Sequence, residues 1–419
     1  MKALVYCLLC PPHWIKTPPL GLEFIKSYSK KRKIEVKIID LNILCYKLLG
    51  TDKKTWLSLD KKFEENLFFL IKRKYPQIIK NTIKKLKNAN LIGFSLFKRN
   101  RPFTFSFIEE VKSAYPNKKI VIGGPEVLFM KMRKEDLNNN FSWVIGEGEK
   151  SIERILNSSK EEIIIHDELK NLDEIPFCEF NDCNIKFYSS VLPLYSSRGC
   201  IRRCKFCAEK FLTLKFRQHS PLYLTEQINF LLNKYKINNF VFQDSLINSN
   251  LNWLEEFCTL ILRKNLKISW EAQLIVRRDF TKDLARLLKK SGCVNLFIGL
   301  ESASNKVLKA MNKGFTKEEA LAFFKILKKE NLHFEVSLIT GFPQEEKKDF
   351  QETAEFIVKN KRFIPKIAQI NPYIDYFSTN YLPSREALIR VKKLISILER
   401  EKISHTKSFI NNLFYRDEN

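Results

Sequence analysis

Short apolar runs alternate with amphipathic stretches along the first 155 residues, which is typical of a parallel sheet with helices on its faces. The apolar runs predict five strands, at 3–9, 35–41, 91–96, 119–122 and 143–145. The amphipathic stretches predict helices at 20–31, 63–86 and 105–114, and Pro76 breaks the second of them. We therefore expect residues 1–155 to form a Rossmann-like α/β domain.

The same alternation resumes at residue 191 and predicts a second α/β domain over 191–375. Its strands are expected at 192–195, 240–242, 269–272, 295–298, 334–339 and 367–370. Six β/α units are fewer than the eight of a closed TIM barrel, so the sequence predicts a partial (β/α)6 TIM-type barrel.

Two stretches fall outside this alternation. Residues 156–190 carry no strong period and are expected to be a linker. Residues 376–419 contain one amphipathic helix, whose predicted apolar face is formed by Leu388, Val391, Leu394, Ile395 and Leu398. This short C-terminal helical segment is expected to cover either the open edge of the barrel or the substrate.

Composition indicates an ordinary globular protein, since 44% of the 419 residues are hydrophobic and no apolar run approaches the ~20 residues of a membrane helix. The amino terminus has no small-residue cleavage site, so a cytoplasmic location is expected. The net charge of +26 is compatible with nucleic-acid binding, but the lysines are spread over most of the chain beside abundant Asn, Ile and Phe. That distribution favours solvated helix faces over a nucleic-acid partner.

Three cysteines lie close together, Cys200, Cys204 and Cys207, in a C-x3-C-x2-C spacing. Three thiolates can bind three irons of a [4Fe–4S] cluster and leave the fourth iron with an open coordination position. The arginines and the lysine between them favour the thiolate and offset the charge of a cluster. A zinc site would need a further nearby ligand, and Cys178 and Cys183 lie upstream. A disulfide framework does not suit a long chain without a secretory signal.

This loop, Tyr195-Ser-Ser-Arg-Gly-Cys-Ile-Arg-Arg-Cys-Lys-Phe-Cys207, resembles the signature of the radical S-adenosylmethionine (SAM) superfamily. The resemblance implies that the cysteines hold a [4Fe–4S] cluster whose open iron is chelated by the amino and carboxylate groups of SAM. It also implies that Phe206 lies beside the adenine.

Two further segments, Gly299-Leu-Glu-Ser-Ala-Ser304 and Ile339-Thr-Gly-Phe-Pro-Gln-Glu345, resemble the fourth- and fifth-strand motifs of the same superfamily. Both follow predicted strands, where a β/α barrel keeps its chemistry. Taken singly, such residues could cap a helix, pair with a lysine or make a turn. Residue by residue, the resemblance implies three sets of SAM contacts. Glu301, Ser302 and Arg277 or Arg278 would contact the ribose or the carboxylate, and Gly341 and Phe342 would border the adenine. Gln243 and Asp244 would lie near the methionine end or the substrate.

The glycine-containing segments of the first domain, taken in order, resemble the cobalamin-binding domain found ahead of many radical SAM domains. Each glycine pair alone could simply make a tight strand-to-helix turn. The D-x-H-x-x-G motif that supplies a histidine ligand to cobalt in other cobalamin proteins is absent, and His13 lacks that context. The resemblance implies cobalamin contacts from Leu20, Gly21, Ser95, Gly123, Gly124, Pro125, Gly146, Glu147 and Gly148.

Together these resemblances imply an enzyme that cleaves SAM reductively, generates a 5′-deoxyadenosyl radical and uses cobalamin to methylate an unactivated carbon. Three alternatives stay open: a cobalamin-independent rearrangement or cyclisation, RNA modification of the tRNA methylthiotransferase kind, and a non-catalytic iron–sulfur protein. Cys7, Cys10 and Cys45 are poorly spaced for the second cluster of a methylthiotransferase. The expected partners are a small-molecule or peptide substrate and an external electron donor of the flavodoxin or ferredoxin type.

Overall fold

The computed structural model describes residues 2–58, 60–138, 140–161, 163–165, 167–375 and 382–406. The chain divides into two compact units, unit 1 (Met1–Leu192) and unit 2 (Pro193–Asn419). Among the described residues, no helix combines the length and the apolar character that crossing a bilayer requires.

Unit 1 is built on a six-stranded sheet with the strand order β2-β1-β3-β4-β5-β6, and every recorded strand pair in it is parallel. Its strands are β1 (Ala3–Leu9), β2 (Ile34–Asp40), β3 (Leu91–Ser95), β4 (Ile120–Gly123), β5 (Ser142–Ile145) and β6 (Ile163–Ile165). Its helices are α1 (Leu20–Lys30), α2 (Leu41–Leu49), α3 (Lys53–Trp56), α4 (Lys61–Lys74), α5 (Pro76–Lys85), α6 (Arg101–Ala114), α7 (Pro125–Met132) and α8 (Ser151–Asn157).

The core of unit 1 follows from the alternation that predicted its strands. Val5, Cys7 and Leu9 of β1 share one face of the sheet because alternate strand residues point the same way. They belong to one buried apolar cluster with residues of α1 and α8. Pro76 begins α5, so the predicted break between two helices is confirmed.

Residues 156–190, expected to be a linker, lie within unit 1 in the structure. They contribute β6, and the segment after it is bound to α1 and β2. The backbone N–H of Phe180 donates to the carboxylate of Glu23 at 3.2 Å, and the N–H of Ile38 donates to Asp182 at 2.8 Å. A three-residue strand is too short to show a period, which is why the sequence pattern did not indicate it.

Unit 2 is built on an open six-stranded sheet in the order β14-β13-β12-β11-β10-β7, with a separate antiparallel pair, β8–β9. Its strands are β7 (Leu192–Leu194), β8 (Ser197–Arg198), β9 (Arg217–Gln218), β10 (Asn239–Phe242), β11 (Ser269–Leu274), β12 (Cys293–Glu301), β13 (Phe334–Thr340) and β14 (Ile367–Pro372). Its helices are α9 (Glu209–Leu212), α10 (Pro221–Tyr235), α11 (Leu251–Arg263), α12 (Lys282–Lys290), α13 (Asn305–Ala310), α14 (Lys317–Lys329), α15 (Lys347–Lys359) and α16 (Arg385–Arg400). This alternation confirms the expected partial (β/α)6 barrel.

The C-terminal helix α16 packs against the end of this sheet. Its buried residues are Ala387, Val391, Leu394 and Leu398. The hydroxyl of Thr340, at the end of β13, donates to the carbonyl of Ala387 at 3.1 Å. After α16 the chain turns back to β14, where Ile367 donates to Ser404 O at 2.9 Å and accepts from Thr406 N at 3.0 Å. Residues 376–381 and 407–419 of the predicted segment lie outside the described residues.

Candidate active site

The cysteine loop begins where β7 ends and is fixed by a buried carboxylate. Asp244, just after β10, has no exposed surface and accepts hydrogen bonds from the backbone N–H of Ser196 at 2.9 and 3.0 Å. It also accepts from the hydroxyls of Ser196 at 2.6 Å and Ser197 at 2.7 Å. The β8–β9 pair then closes the base of the loop, with Ser197 opposite Gln218. Asp244 therefore positions the loop, while a contact with SAM stays a prediction.

The three cysteines lie on one tight turn between β8 and α9. Cys204 is buried, Cys200 and Cys207 are partly exposed, and the N–H of Cys207 donates to the carbonyl of Cys204 at 3.2 Å. The turn is anchored to the residues after α13, because the N–H of Lys205 donates to the carbonyl of Met311 at 3.0 Å. Burial raises the pKa of the Cys200 thiol to about 11 and also raises the pKa of Cys204 and Cys207. Metal ligation, which favours the thiolate, would oppose this effect.

The arrangement of thiols can be tested against the cofactor that the sequence predicts. Across the described residues, no three Cys, His, Asp or Glu side chains are placed to hold a single metal ion. A tetrahedral zinc site needs sulfurs only about 3.8 Å apart, whereas ligands to separate irons of a cluster lie on its different corners. Nε of Arg202, beside the loop, is buried without a hydrogen-bond acceptor. Three thiols on one loop, with an unsatisfied cationic donor among them, fit an anionic iron–sulfur cluster.

Lys313 is a site residue that the sequence analysis did not single out. Its ammonium lies 3.5 Å from Oε1 of Glu301 and 5.6 Å from the ring centroid of Phe206. Its charge favours the thiolate of Cys204 and opposes the effect of burial there. Lys313 follows α13 within the segment Met311-Asn-Lys-Gly314. The residue spacing of that segment does not indicate that the lysine side chain points into the protein.

Glu301 ends β12 in the left-handed region, at φ 68°, and its carboxylate folds back over Gly299. Its Oε2 accepts a hydrogen bond from the hydroxyl of Ser337 at 3.2 Å. Burial raises the pKa of the Glu301 carboxyl, and the charge of Lys313 opposes that increase. A Cβ at position 299 would lie within 3 Å of Oε1 of Glu301, so a larger residue there would displace the end of the Glu301 side chain.

Phe206 and Phe342, both predicted to lie beside the adenine, belong to the same apolar cluster. Phe342 packs with Val307 and Met311 in the buried part of this cluster, and Phe206 and Tyr373 pack against it. The rings of Phe342 and Tyr373 meet edge to face at 5.2 Å. The structure thus brings the cysteine loop and the fifth-strand motif to one apolar surface, and the adenine contact itself stays a prediction.

The other predicted SAM residues have partners within unit 2. Ser302 is buried, lies 3.1 Å from the Thr353 hydroxyl and accepts from the N–H of Ser304. Arg277 donates to both carboxylate oxygens of Asp279 and to the carbonyls of Asn248 and Ser249. Arg278 is 72% exposed and pairs with Glu319. The N–H of Gln243 donates to Leu194 O at 2.8 Å.

Gly341 lies where α16 meets the sheet. Its φ is 76°, its N–H donates to Oε2 of Glu345 at 2.7 Å, and a Cβ there would approach Cα of Ala387 to 2.7 Å. Arg390 of α16 binds the same carboxylate oxygen of Glu345 at 2.6 Å. Gly341 therefore serves the packing of α16, whatever its contact with SAM.

In unit 1, strand order reverses between β1 and β3, the position where open α/β sheets bind ligands. His13, after β1, and Phe97, after β3, meet there with ring centroids 4.0 Å apart. Burial, with a contribution from Arg99, lowers the pKa of His13 to about 4, so the imidazole is neutral.

The predicted cobalamin residues line the same carboxyl edge of the sheet or flank it. Ser95 and Gly123 are register partners at the ends of β3 and β4. Gly124 has φ 102°, and a Cβ there would lie 2.5 Å from Leu96 O. Leu20 and Gly21 are the first residues of α1, and Pro125 is the first residue of α7. After β5, Gly146 has φ 98°, and the carboxylate of Glu147 accepts a hydrogen bond from the N–H of Leu169. A Cβ at Gly148 would contact the side chain of Ile25. Their contact with cobalamin stays a prediction.

Comparison with known proteins decides the family of unit 2. Residues 194–357 match the model of the radical SAM superfamily. This chain carries a radical SAM domain. The match spans the cysteine loop and both strand-end motifs, and radical SAM domains use a [4Fe–4S] cluster together with SAM. Unit 2 therefore has the domain of radical SAM enzymes, and Cys200, Cys204 and Cys207 are the residues of its loop that can hold the cluster.

Similarity to individual proteins extends beyond the radical SAM domain. The chain is 26% identical to the uncharacterized methyltransferase PH0819 of Pyrococcus horikoshii, over 86% of this chain and 79% of that protein. Its fold is similar to that of OxsB, described as a cobalamin-dependent SAM radical enzyme, with a TM-score of 0.69 and 18% identity over 98% of this chain. It is also similar to the radical SAM methyltransferase TsrM of Kitasatospora setae, with a TM-score of 0.66 and 14% identity over 88% of this chain and 73% of TsrM. The chain spans just over half of OxsB, at 56%.

Proposed function

We propose that this radical SAM enzyme is a cobalamin-dependent methyltransferase that methylates an unactivated carbon. The observation that carries the proposal is that both units, and not the radical SAM domain alone, match the fold of OxsB, an enzyme described as cobalamin-dependent. The similarity to a methyltransferase over 86% of the chain supports methyl transfer as the reaction. The sequence identities are low, so cobalamin and the substrate are part of the proposal.

When bound, the cluster and SAM supply a 5′-deoxyadenosyl radical, and cobalamin supplies the methyl group. The residues of the chain bind and orient these groups. Asp244 fixes the start of the cysteine loop, and Phe206 and Phe342 offer an apolar surface for a flat base. Glu301 and Lys313 place one negative and one positive charge beside the loop, where a ribose or a carboxylate could bind. Gly124 lets the turn between β4 and α7 pass close to the backbone of Leu96, which shapes the carboxyl edge where the cofactor is proposed to bind.

The test uses full-length protein purified without oxygen, reconstituted with iron, sulfide and hydroxocobalamin, and then desalted. We expect near-stoichiometric cobalamin in the visible spectrum, and 5′-deoxyadenosine when SAM and a reductant are added. With methyl-deuterated SAM, mass spectrometry of a metabolite and peptide extract incubated with the enzyme should reveal products that carry the label. Deoxyadenosine without retained cobalamin would contradict methyl transfer through cobalamin and would favour a cobalamin-independent rearrangement.

A pair of cysteine variants checks the assignment of the cluster. Cys204→Ala should lose both the iron–sulfur absorbance and the formation of 5′-deoxyadenosine, because it removes a thiolate ligand. Cys258→Ala removes a buried thiol on α11 and should keep both. A Cys204→Ala protein that still made 5′-deoxyadenosine would show that the cluster is bound elsewhere.

A further inference from the structure

Helix α5 differs from the other long helices of this protein because it contains no carboxylate. Of the helices with ten or more residues in the described parts of the chain, every other one has at least one Asp or Glu. No acidic residue occurs between Glu65 and Glu109. Seven cations lie within residues 72–87: Lys72, Arg73, Lys74, Lys80, Lys84, Lys85 and Lys87. Positive charge is therefore concentrated on the end of α4, on α5 and on the residues that follow it.

Most of these cations have no partner. Lys72 pairs with Glu110 of α6 at 2.6 Å. Among the described residues, the other six make no hydrogen bond or ion pair, and all six are exposed. On α12, in contrast, Lys282 and Arg286 lie within ion-pair distance of Glu330. The cations of α5 thus lack the nearby carboxylate that neutralises those of α12.

The helical repeat places lysines side by side on the outer face of α5. Ile79 and Thr82 are buried, whereas Lys80 and Lys84 are exposed. Two lysines four positions apart are neighbours on a helix, and their like charges repel each other. A bound polyanion would remove this repulsion. The surface therefore favours a partner with closely spaced negative charges.

An exposed aromatic ring belongs to the same part of unit 1. Phe69 of α4 is 63% exposed. Arg73 lies four positions further along α4, so its side chain and the ring of Phe69 are neighbours on the helix surface. α4 and α5 follow each other in the chain and pack against each other and against α6. Together the two helices form a surface that we call the basic face, defined by Phe69, Arg73, Lys80, Lys84 and Lys85.

The composition of the basic face distinguishes between acidic partners. A bilayer surface binds helices with a broad exposed apolar side, and no large apolar side chain of α5 is exposed. A protein interface has an apolar centre, yet Phe69 is the single large apolar side chain that α4 and α5 expose. A nucleic-acid strand offers phosphates to the cations and unpaired bases that can stack on an isolated ring. The basic face thus favours a single-stranded nucleic acid.

We propose that the basic face binds single-stranded RNA. The exposed amides of Gln77 and Asn81 lie on α5 beside Lys80 and can hydrogen-bond the ribose 2′-hydroxyl, which DNA lacks. In the sequence, lysines spread along the chain favour solvated helix faces; the structure adds that those of α5 have no carboxylate partner. The assignment goes beyond the proposed methyl transfer, and neither the cluster nor cobalamin enters its argument.

The experiment measures the binding of a short labelled RNA of mixed sequence to the reconstituted full-length protein by fluorescence anisotropy, from low to physiological ionic strength. Lys84→Glu/Lys85→Glu is compared with a matched control, Lys289→Glu/Lys290→Glu. Each pair is adjacent, exposed and in the last turn of its helix, so both variants change the charge and the helix terminus alike. Phe69→Ala is an independent variant that leaves the charge unchanged.

We expect the logarithm of the affinity to fall with the logarithm of the salt concentration with a slope of about −3, as for roughly four phosphate contacts. Lys84→Glu/Lys85→Glu should lose at least tenfold in affinity and flatten that slope by about 1.4. Phe69→Ala should lose roughly fivefold or more and keep the slope, because stacking releases no counterions. The control should bind within twofold of wild type, and all variants should form 5′-deoxyadenosine at the wild-type rate.

Equal losses in the two lysine variants would overturn the proposal, because they would show that only the total charge matters. Wild-type affinity in Phe69→Ala would overturn it as well. So would DNA of the same sequence that binds as tightly, or polyglutamate or anionic vesicles that displace the RNA at equal charge, since each identifies a different partner. None of these outcomes changes the proposed methyl transfer, which is tested by cobalamin retention and deoxyadenosine formation.

Discussion

The ammonium of Lys313 lies 3.5 Å from Oε1 of Glu301, and the two side chains are only 6% and 10% exposed. Removing one member of a buried ion pair leaves an uncompensated charge, which costs roughly 3–5 kcal/mol, whereas removing both is often nearly neutral. The pair thus has a structural role that can be separated from any role in binding SAM.

Lys313→Met should lower the free energy of unfolding by roughly 3 kcal/mol, and Lys313→Met/Glu301→Gln should recover most of that loss. Urea unfolding of the full-length protein measures both. SAM affinity, measured by equilibrium dialysis, should fall at least tenfold in the double variant, because the carboxylate predicted to bind the ribose is gone. A stable double variant with wild-type SAM affinity would show that Glu301 acts in packing alone.

Asp244→Asn should loosen the cysteine loop. The substitution replaces one acceptor oxygen by a donor that faces the N–H and hydroxyl of Ser196, so at least one charge-assisted bond is lost, at a cost of about 2 kcal/mol. Iron bound per chain after reconstitution should fall by half or more. The control is Asp283→Asn, whose side chain is 89% exposed. Unchanged iron content in Asp244→Asn would rule out this positioning role.

Gly124→Ala and Gly21→Ala should have opposite effects on unit 1. At Gly124 the φ of 102° and the approach to Leu96 O leave no room for a Cβ, so the turn between β4 and α7 must move. At Gly21 nothing lies within 4 Å, and alanine in α1 should stabilise by about 0.5–1 kcal/mol. Thermal unfolding and cobalamin retention are the measurements. Cobalamin retention at the wild-type level in Gly124→Ala would remove Gly124 from the proposed cofactor edge.

Glu23→Gln should change how stability depends on pH. Burial raises the pKa of Glu23 to about 7. Since its pKa in the unfolded chain is lower, the folded state binds the proton more tightly, and this group's contribution to stability is lost as pH rises from about 4.5 through 7. Glutamine keeps an acceptor for the N–H of Phe180 but does not ionise. The variant should therefore lose less stability over that range, by an amount on the order of 3 kcal/mol.

Hydrogen exchange of β1 and β2 peptides at pH 5.5 and pH 8, corrected for intrinsic rates, measures this difference. Glu65→Gln on α4, whose side chain is 52% exposed, is the control and should follow wild type. A Glu23→Gln protein that loses as much stability as wild type would show that Glu23 does not change its protonation between these two pH values.

Long elements with a clear period could be predicted from the sequence, and short or strained ones could not. The predicted strand at 3–9 agrees with β1 to the residue, and the predicted helix at 20–31 agrees with α1 to within one residue. The two-residue strands β8 and β9 have no period at all, although they shape the cysteine loop. Their pairing joins residues far apart in the sequence, such as Ser197 and Gln218, and a local pattern carries no information about it.

In the candidate site too, residues with a local sequence signature could be predicted, and residues placed by long-range contacts could not. The cysteines were found from spacing because a cluster needs several thiolates in a short loop. Lys313 was missed because an isolated lysine usually lies in water, and only the fold shows that it turns towards Glu301. Arg277 or Arg278 was expected from the resemblance to contact SAM, and the donation of Arg277 to Asp279 and to two carbonyls could not be read from any sequence pattern.

The return of the chain from α16 to β14 has a consequence for the solution behaviour of the protein. An open barrel has two outer strands, and an unpaired outer strand can recruit a strand from another molecule and aggregate. Ser404 and Thr406 occupy the backbone groups of Ile367 on the outer side of β14. A protein truncated after Arg400 would keep every cysteine and the whole sheet, yet it would uncover part of that edge and should become prone to self-association.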